Sequence, residues 1–427
     1  MFPNDIQPWR LALARASKSS LMREKDCQVV ISGAGPAGAI LGLLLARAGV
    51  ETKLIERHED FSREFRGELV WPSGLKPLKQ IGIWEDFEKV GQVRIDQVKM
   101  FINEKPFVSP QMDSSVIGEF RPRWISQPHF LEMLVEKASA FANFELLRST
   151  RVRNLVRDED SVTGVVTDAH GEISADLVVG ADGRSSIVRA RSGLSAKADK
   201  LPMDIVWIKV PADRIEIRNT MRMYVGRGRL VIMAPTFDGF VQLGFIIRKG
   251  SFKELRQLGT EGLIEEISNY VDAPTREVLK TTDADDLRPF LLSTVADRVD
   301  SWCLPGLLLI GDAAHTMSPV GGQGVNIAIR DAVLAANYLI PALKTANNAD
   351  TLHQTLQKIE TERLEEVKLI QAQQAKGPRI LLNQSLWMRP IFLLAQKLGR
   401  GAKFDAASDP SIKNMMFGVS PIRWTVE

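Results

Sequence analysis

A β-branched apolar run, Cys27–Ser32, leads without a break into Gly33-Ala34-Gly35-Pro36-Ala37-Gly38, and this junction constrains the fold more than any other part of the chain. The run has the composition of a strand buried on both faces. Pro36 suits the first turn of a helix, where its missing N–H has no helical partner anyway. An apolar stretch carries that helix to Arg47, Gly49 stops it, and Thr52–Glu56 supplies a second strand. Strand, glycine turn, helix and strand make a βαβ unit of about thirty residues, the opening half of a doubly wound parallel sheet. Gln28–Ala46 is also free of charge for 19 residues, as a membrane span would be. Its clustered glycines and Pro36, with Glu51 and Glu56 close behind, favour strand, turn and helix instead.

The six residues match GxGxxG. Gly33 permits the tight turn, Gly35 lets a pyrophosphate approach the backbone, and Gly38 lets helix and strand pack closely. N–H groups at the helix start, and the positive end of its dipole, then face the phosphates. Glu56 lies 18 residues past Gly38, where an acid would hydrogen-bond an adenosine ribose, and Arg57 beside it joins the cofactor-binding set. FAD and NAD share this fingerprint.

A second segment points to flavin. Leu307–Ile310 reads as a buried strand running directly into Gly311-Asp312, and Pro319, Gly321, Gly322, Gln323, Gly324, Val325 and Asn326 lead on into a helix. Asp312 is placed to bind ribityl hydroxyls. Backbone N–H groups at Gly324–Asn326 are placed to face the N1–C2 edge of an isoalloxazine, where charge develops on reduction. A third segment, Gly180-Ala-Asp182-Gly183-Arg184-Ser185-Ser186 with Val188-Arg189, also follows an apolar run, Asp176–Val179.

Composition limits the alternatives. At 427 residues, 44% hydrophobic and 25% charged, the chain has material for two to three domains and is not globally disordered. Its net charge of +3 balances 55 basic against 52 acidic residues, with no basic block of the kind a nucleic-acid binder needs. Two cysteines, Cys27 and Cys303, and five scattered histidines leave no disulfide framework and no metal-ligand spacing. Reduced cytoplasm is the expected location. Residues 1–25 read as an N-terminal extension with no apolar signal core.

Together the three segments, GAGPAG with Glu56, GADGRSSIVR and GDAAHTMSPVGGQGVN, resemble the class A FAD-dependent monooxygenases typified by para-hydroxybenzoate hydroxylase. The resemblance spans about residues 27–345. It implies an α/β fold of the GR2 type: a doubly wound, Rossmann-like FAD-binding domain (26–200 and 288–345), an inserted β-rich substrate domain (201–287) and a helical C-terminal segment (346–427). It implies further that Arg66 contacts the FAD phosphates and that Gln127 lies near the flavin. Asp182 would serve FAD and the nicotinamide cofactor, Asp312 the ribityl chain, and Pro319 with the Gly324–Asn326 backbone the isoalloxazine. With a single GxGxxG, such an enzyme takes electrons from NADPH or NADH without a second Rossmann domain. O2 then gives a C4a-hydroperoxide that hydroxylates a small or medium apolar substrate, aromatic or polycyclic. The alternatives are an FAD-dependent isoprenoid (prenyl) reductase and a flavin-binding redox protein without turnover.

Gln127-Pro128 opens a helix with Phe130, Leu131, Leu134, Val135 and Ala138 on one face; Phe144–Asp182 reads as a β-meander; Met203–Lys249 is β-rich; Gly324–Leu343 and Thr351–Lys376 are helical. Tyr224 alone of three tyrosines falls in the substrate sheet, as a candidate catalytic phenol or a packing residue. His315 is expected to hydrogen-bond behind the flavin loop, and His129 to sit at a surface helix start. Leu386–Arg400 mixes bulky apolar residues with Arg and Lys; a helix capping the substrate domain is favoured over a membrane-surface helix, because Pro390 breaks the face.

Overall fold

The computed structural model describes residues 25–62, 67–102, 104–107, 109–111, 117–226, 228–287, 289–345, 349–376, 403–405 and 409–426. The strand Cys27–Ser32 is buried almost end to end, as an apolar strand between two helical layers must be. It pairs in parallel with Thr52–Ile55 on one side and with the second half of Gly171–Gly180 on the other. Leu307–Leu309 extends the parallel sheet beyond Gly171–Gly180. The helix Pro36–Arg47 follows the first strand and, with Gln127–Ser139 and Gly324–Thr345, covers this sheet.

One strand departs from the expected meander. Phe144–Leu147 pairs in parallel with Thr52–Ile55 at the far edge of the sheet, so only Val152–Asp158, Ser161–Thr167 and Gly171–Gly180 form antiparallel neighbours. The helix Gln127–Ser139 lies between Thr52–Ile55 and Phe144–Leu147 in sequence, a crossover that lets two parallel strands sit side by side.

The second sheet contains seven strands in the order 290–292, 203–211, 240–248, 229–235, 220–226, 97–102, 105–106. Its centre is the expected β-rich stretch. It also recruits Gln97–Ile102, from well upstream of residue 201, parallel to Thr220–Gly226. Helices Phe252–Gln257, Gly259–Ser268 and Ala273–Thr281 cover one face around Val206, Val231, Leu243, Phe245 and Ile267. The other face packs against Leu69, Trp71, Val93, Trp124 and Val320. On that face Gly244 lies opposite Trp207 across the strand pair, and a Cβ at Gly244 would come within 2.6 Å of the indole, so only glycine leaves the ring its place.

The segment beyond 346 is not helical throughout. The helix Ala349–Gln374 packs against Gly324–Thr345, and Pro410–Phe417 is helical, but Lys403–Asp405 is a strand parallel to Ser109–Gln111. Leu386–Arg400, most of the 1–25 extension and Arg66 lie outside the described residues. No described helix is long and apolar enough to cross a membrane.

Candidate active site

In the parallel sheet the strands end on one side, and each of the three segments read from sequence follows such an end. Gly33 follows Ser32, Glu56 follows Ile55, Ala181-Asp182 follows Gly180, and Gly311-Asp312 follows the strand ending at Leu309. Ligands of doubly wound sheets sit outside these carboxyl ends. A cavity of about 670 Å³ opens there, lined by Gly33, Gly35, Pro36, Ala37, Glu56 and Arg57 at one side and by Gln127, Asp182, Asp312, Gly324 and Val325 at another. Ala34, Gly38, Pro319 and Asn326 do not line it.

The three glycines of the turn divide the work. Gly33 holds φ +101, and a Cβ on it would lie 2.5 Å from the Ala181 carbonyl oxygen. Gly38 is closed off entirely, since its Cβ would lie 2.0 Å from the Gly33 carbonyl oxygen. Gly35 is the opposite case: its Cβ would meet nothing within 4 Å. The space it leaves open lies in the cavity, at the first turn of the helix Pro36–Arg47, where backbone N–H groups have no helical partner. A diphosphate fits this cradle.

Glu56 is 2% exposed, yet its carboxylate is held at both oxygens: Ala34 N donates to Oε2 and His58 N to Oε1, each at 3.1 Å. The carboxylate is therefore fixed in place at the cavity wall. Ala34 serves the turn through that N–H. Arg57 is exposed at the cavity rim, its Nε on His58 Nε2 at 2.9 Å, and Arg151, Arg153 and Arg191 share the rim. A basic rim attracts a dinucleotide's phosphates.

Asp182 lines the cavity, but its carboxylate serves the protein. It accepts from Ile187 N at 2.7 Å and Val188 N at 3.2 Å, and from the hydroxyl of Ser186, the N-cap of the helix Ile187–Ser192, so it satisfies the first N–H groups of that helix. Burial pushes its carboxyl above the usual range, against these hydrogen bonds. Arg189 of the same segment donates to the Ala313 carbonyl at 3.1 Å and so ties the second motif to the third. Gln127 is 6% exposed, with Nε2 on Glu68 Oε1 at 3.3 Å.

The loop from Gly311 to Gly324 owes its shape to side-chain donors that sequence reading did not find. Gln371 Nε2 donates to the Thr316 carbonyl, and Gln374 Nε2 to those of Ser318 (2.8 Å) and Val320 (2.6 Å). Trp71 Nε1 takes the Gly321 carbonyl at 2.7 Å, and Asn326 Nδ2 those of Leu69 and Gly322, each at 2.8 Å. These bonds hold the carbonyl side of the loop, and Gly324 and Val325, in the first turn of the next helix, line the cavity. Asn326 thus acts through its carboxamide, with Trp71 N on its Oδ1 at 2.8 Å, and Pro319 opens the 3-10 turn Val320–Gly322.

At the loop's other end Asp331 gathers a buried ionic network. Its Oδ2 accepts from Gly311 N at 3.0 Å and meets His315 Nε2 at 2.7 Å; its Oδ1 accepts from Arg363 Nε at 2.7 Å. Arg363 also pairs with Glu366, which pairs with Arg330, and all five side chains are at most 2% exposed. His315 thus lies behind the loop, as expected. The missed signal was Arg330-Asp331 inside the apolar helix stretch VNIAIRDAVLAA, where two charges are affordable only if paired. Gly311 and Asp312 of this turn line the cavity, while Ala313 and Ala314 are wholly buried. Asp312→Ala should give protein with little or no bound FAD but an intact fold, checked by pigment content against far-UV circular dichroism.

Tyr224 does not face the cavity. It points to the helix-covered side of the second sheet, 1% exposed, stacked on Phe101 at 4.6 Å, with its hydroxyl on Asp272 Oδ2 at 2.8 Å. Burial and the neighbouring Asp272 push its phenol up, away from any role as a base near neutral pH. Tyr224→Phe is expected to cost about 1.5–3 kcal/mol in urea unfolding, the loss of a hydrogen bond to a charged acceptor, and to leave turnover unchanged. His129 packs edge-on against Phe237 at 5.1 Å. Both cysteines are buried and free, with thiols pushed by burial up to about 12, and are inert near neutral pH. Among the described residues no cluster of His, Cys, Asp and Glu could hold a metal.

The family model for an FAD binding domain matches residues 26–370, taking in all three motifs. The chain belongs to the class A FAD-dependent monooxygenases, the para-hydroxybenzoate hydroxylase type. The 6-methylpretetramide 4-monooxygenase of Streptomyces rimosus is 30% identical over 363 residues, 81% of this chain and 83% of that one. PqsL of P. aeruginosa, solved with 2-aminobenzoylacetate, shares the fold at a TM-score of 0.74 and 22% identity, over 84% of this chain and 97% of its own. The HpxO of Klebsiella pneumoniae, solved with FAD, does so at 0.73 and 18%, over 92% and 98%. As a class A monooxygenase the chain is an FAD-binding oxidoreductase, and the Gly35 cradle, the fixed Glu56 carboxylate and the helix-start amides are a donor and acceptor set that suits FAD.

Proposed function

We propose that this monooxygenase uses NADPH or NADH to hydroxylate an uncharged aromatic or polycyclic molecule of small to medium size. FAD, when bound, supplies the activation of O2 and the transfer of one oxygen atom. The observation that carries the substrate reading is the inner face of the second sheet. Trp207, Met223 and Ile232 there are only partly buried and belong to two apolar clusters at once, one with Ile205, Leu292 and Val320, the other with Leu69, Trp71, Trp124 and Met221. Val320 belongs to the Gly311–Gly324 loop, Trp71 bonds the Gly321 carbonyl and the Leu69 carbonyl bonds Asn326, which supports reading this face as the roof over the flavin. Arg222 pairs with Asp272 on the helix side, and Lys209, two residues before the end of its strand, pairs with Asp238. An apolar roof keeps water from the reacting centre and selects a ligand without charge. Asp312, Gln127 and the Gly324–Val325 amides hold and orient the flavin beneath it; Asp182 and Arg189 keep the adjoining segment in place.

The test is a compound screen for faster NAD(P)H oxidation and O2 uptake, with mass analysis for one added oxygen atom and 6-methylpretetramide as the first compound tried. Turnover without oxygen, with saturation of a double bond, would replace this reading by an isoprenoid reductase. Flavin reduction that no compound accelerates would replace it by a redox protein without turnover.

A further inference from the structure

The family match ends at residue 370, yet the segment 409–426 reaches back to both ends of the flavin loop. Its helix, Pro410–Phe417, is capped by Asp409, whose Oδ1 accepts from Ser411 N at 2.8 Å and Ile412 N at 3.1 Å. Near the end of that helix the Met415 carbonyl accepts from Gln323 Nε2 at 3.0 Å, and the same nitrogen donates to the Gly321 carbonyl at 3.0 Å. Gln323 is 1% exposed, so this carboxamide is committed to joining the two segments. The contact is close: a Cβ on Gly321 would lie 2.9 Å from Met415 Sδ.

Past the helix the segment lies on the ionic network. Gly418 adopts φ +83 over the Arg330 guanidinium, and a Cβ there would come 2.7 Å from Arg330 Cζ. Arg330 Nη2 donates to the Ser420 carbonyl at 2.5 Å, and Val419 N donates to Glu366 Oε1 at 2.8 Å. Glu366 is joined through Arg363 to Asp331, which holds Gly311. Thr425 N and the Arg423 carbonyl then bond Asn337, and Trp424 lies 5.5 Å from the Arg47 guanidinium.

We infer that Gln323 is a positioning residue for the flavin loop and that residues 409–426 are a strap whose seating is energetically coupled to FAD binding. The inference rests on the reading that the Gly311–Gly324 loop borders the flavin. The loop can present its amides and Asp312 in one geometry only while its carbonyl side is held, and the strap holds it at Gly321 through Gln323 and at Gly311 through four charged groups. Coupling of this kind is reciprocal: a seated strap raises FAD affinity, and bound FAD steadies the strap.

Hydrogen exchange of the full chain, with and without saturating FAD, measures that reciprocity, together with FAD titration of the apoprotein. In the unmodified protein FAD should slow exchange in residues 31–40, at the phosphate turn, and also about tenfold or more in 410–426. In Gln323→Leu the slowing at 31–40 should persist and that at 410–417 should vanish, with the FAD Kd raised about tenfold. Gly418→Val, which leaves Gln323 and the cavity untouched but bars the strap from Arg330, should raise the Kd to a similar degree and carries the test if Gln323→Leu does not fold. Slowing at 31–40 with none at 410–426 would overturn the proposal, as would wild-type Kd values in both variants. Absence of slowing at 31–40 as well would overturn the cofactor reading and the proposal with it.

Discussion

Gly35→Val is expected to yield a folded protein that purifies without its flavin. The backbone at Gly35, φ −70 and ψ −179, is open to any residue, and a side chain there would project into free space. Stability should change by only a few tenths of a kcal/mol, the scale of a change at a helix N-cap. The free space is the cradle assigned to the pyrophosphate, and two methyl groups would occupy it. FAD affinity should fall at least about a hundredfold, some 3 kcal/mol. Gly38→Val supplies the contrast: its Cβ would strike the Gly33 carbonyl oxygen at 2.0 Å, so strand and helix must separate and the fold itself should fail. The measurements are flavin content after purification, apoprotein titration and melting temperature. A Gly35→Val protein that purifies normally yellow would remove the phosphate role from this turn.

The second large effect concerns Asp331. Asp331→Asn removes one charge from a network of two arginines, two carboxylates and a histidine, leaving Arg363 to face Glu366 and Arg330 without its second acid. Breaking a buried pair in this way costs about 3–5 kcal/mol, because the partner charge stays buried. The pH dependence has a definite sign. Burial alone would raise the Asp331 carboxyl, but His315 and Arg363 beside it outweigh burial and hold it down to about 2. A carboxyl depressed in the folded state adds stability that is complete above its unfolded pKa, about 4, and is lost as pH falls through the folded value. The gap between wild type and Asp331→Asn in urea midpoints should therefore be flat from neutral pH to about 4 and should narrow toward pH 2. A gap that widened below pH 4 would show that Asp331 is not the stabilising anion. Since Gly311 N also rests on this carboxylate, the variant should lose flavin affinity as well as stability.

Much of the FAD domain was legible beforehand, for local reasons. The strand Cys27–Ser32 and the helix Pro36–Arg47 have the bounds expected from sequence, because a β-branched run, a proline at a first helical turn and a stopping glycine each act within a few residues. The placement of Glu56, Asp182 and Asp312 at strand exits was readable from an apolar run ending in glycine and an acid. Besides the Arg330-Asp331 pair, three features escaped. Phe144–Leu147 joined the far edge of the parallel sheet, since a short apolar strand carries no mark of its partner. Gln371 and Gln374, in a helix that reads as charged and amphipathic, proved to be the donors that hold the Gly311–Gly324 loop. The strap was invisible because Gln323 and Met415 are 92 residues apart.

Amino-acid order alone determined the local units and the cofactor they suit, since turn geometry, helix starts and apolar runs are properties of neighbouring residues. Which face of each unit meets which partner was decided only by the tertiary structure. The strand Phe240–Arg248 is buried from Val241 through Ile247, so alternation could not say which side meets the flavin loop, and Tyr224 proved to lie on the other one. Two buried faces look alike in sequence; the packing of helices against one and of the flavin loop against the other makes them different.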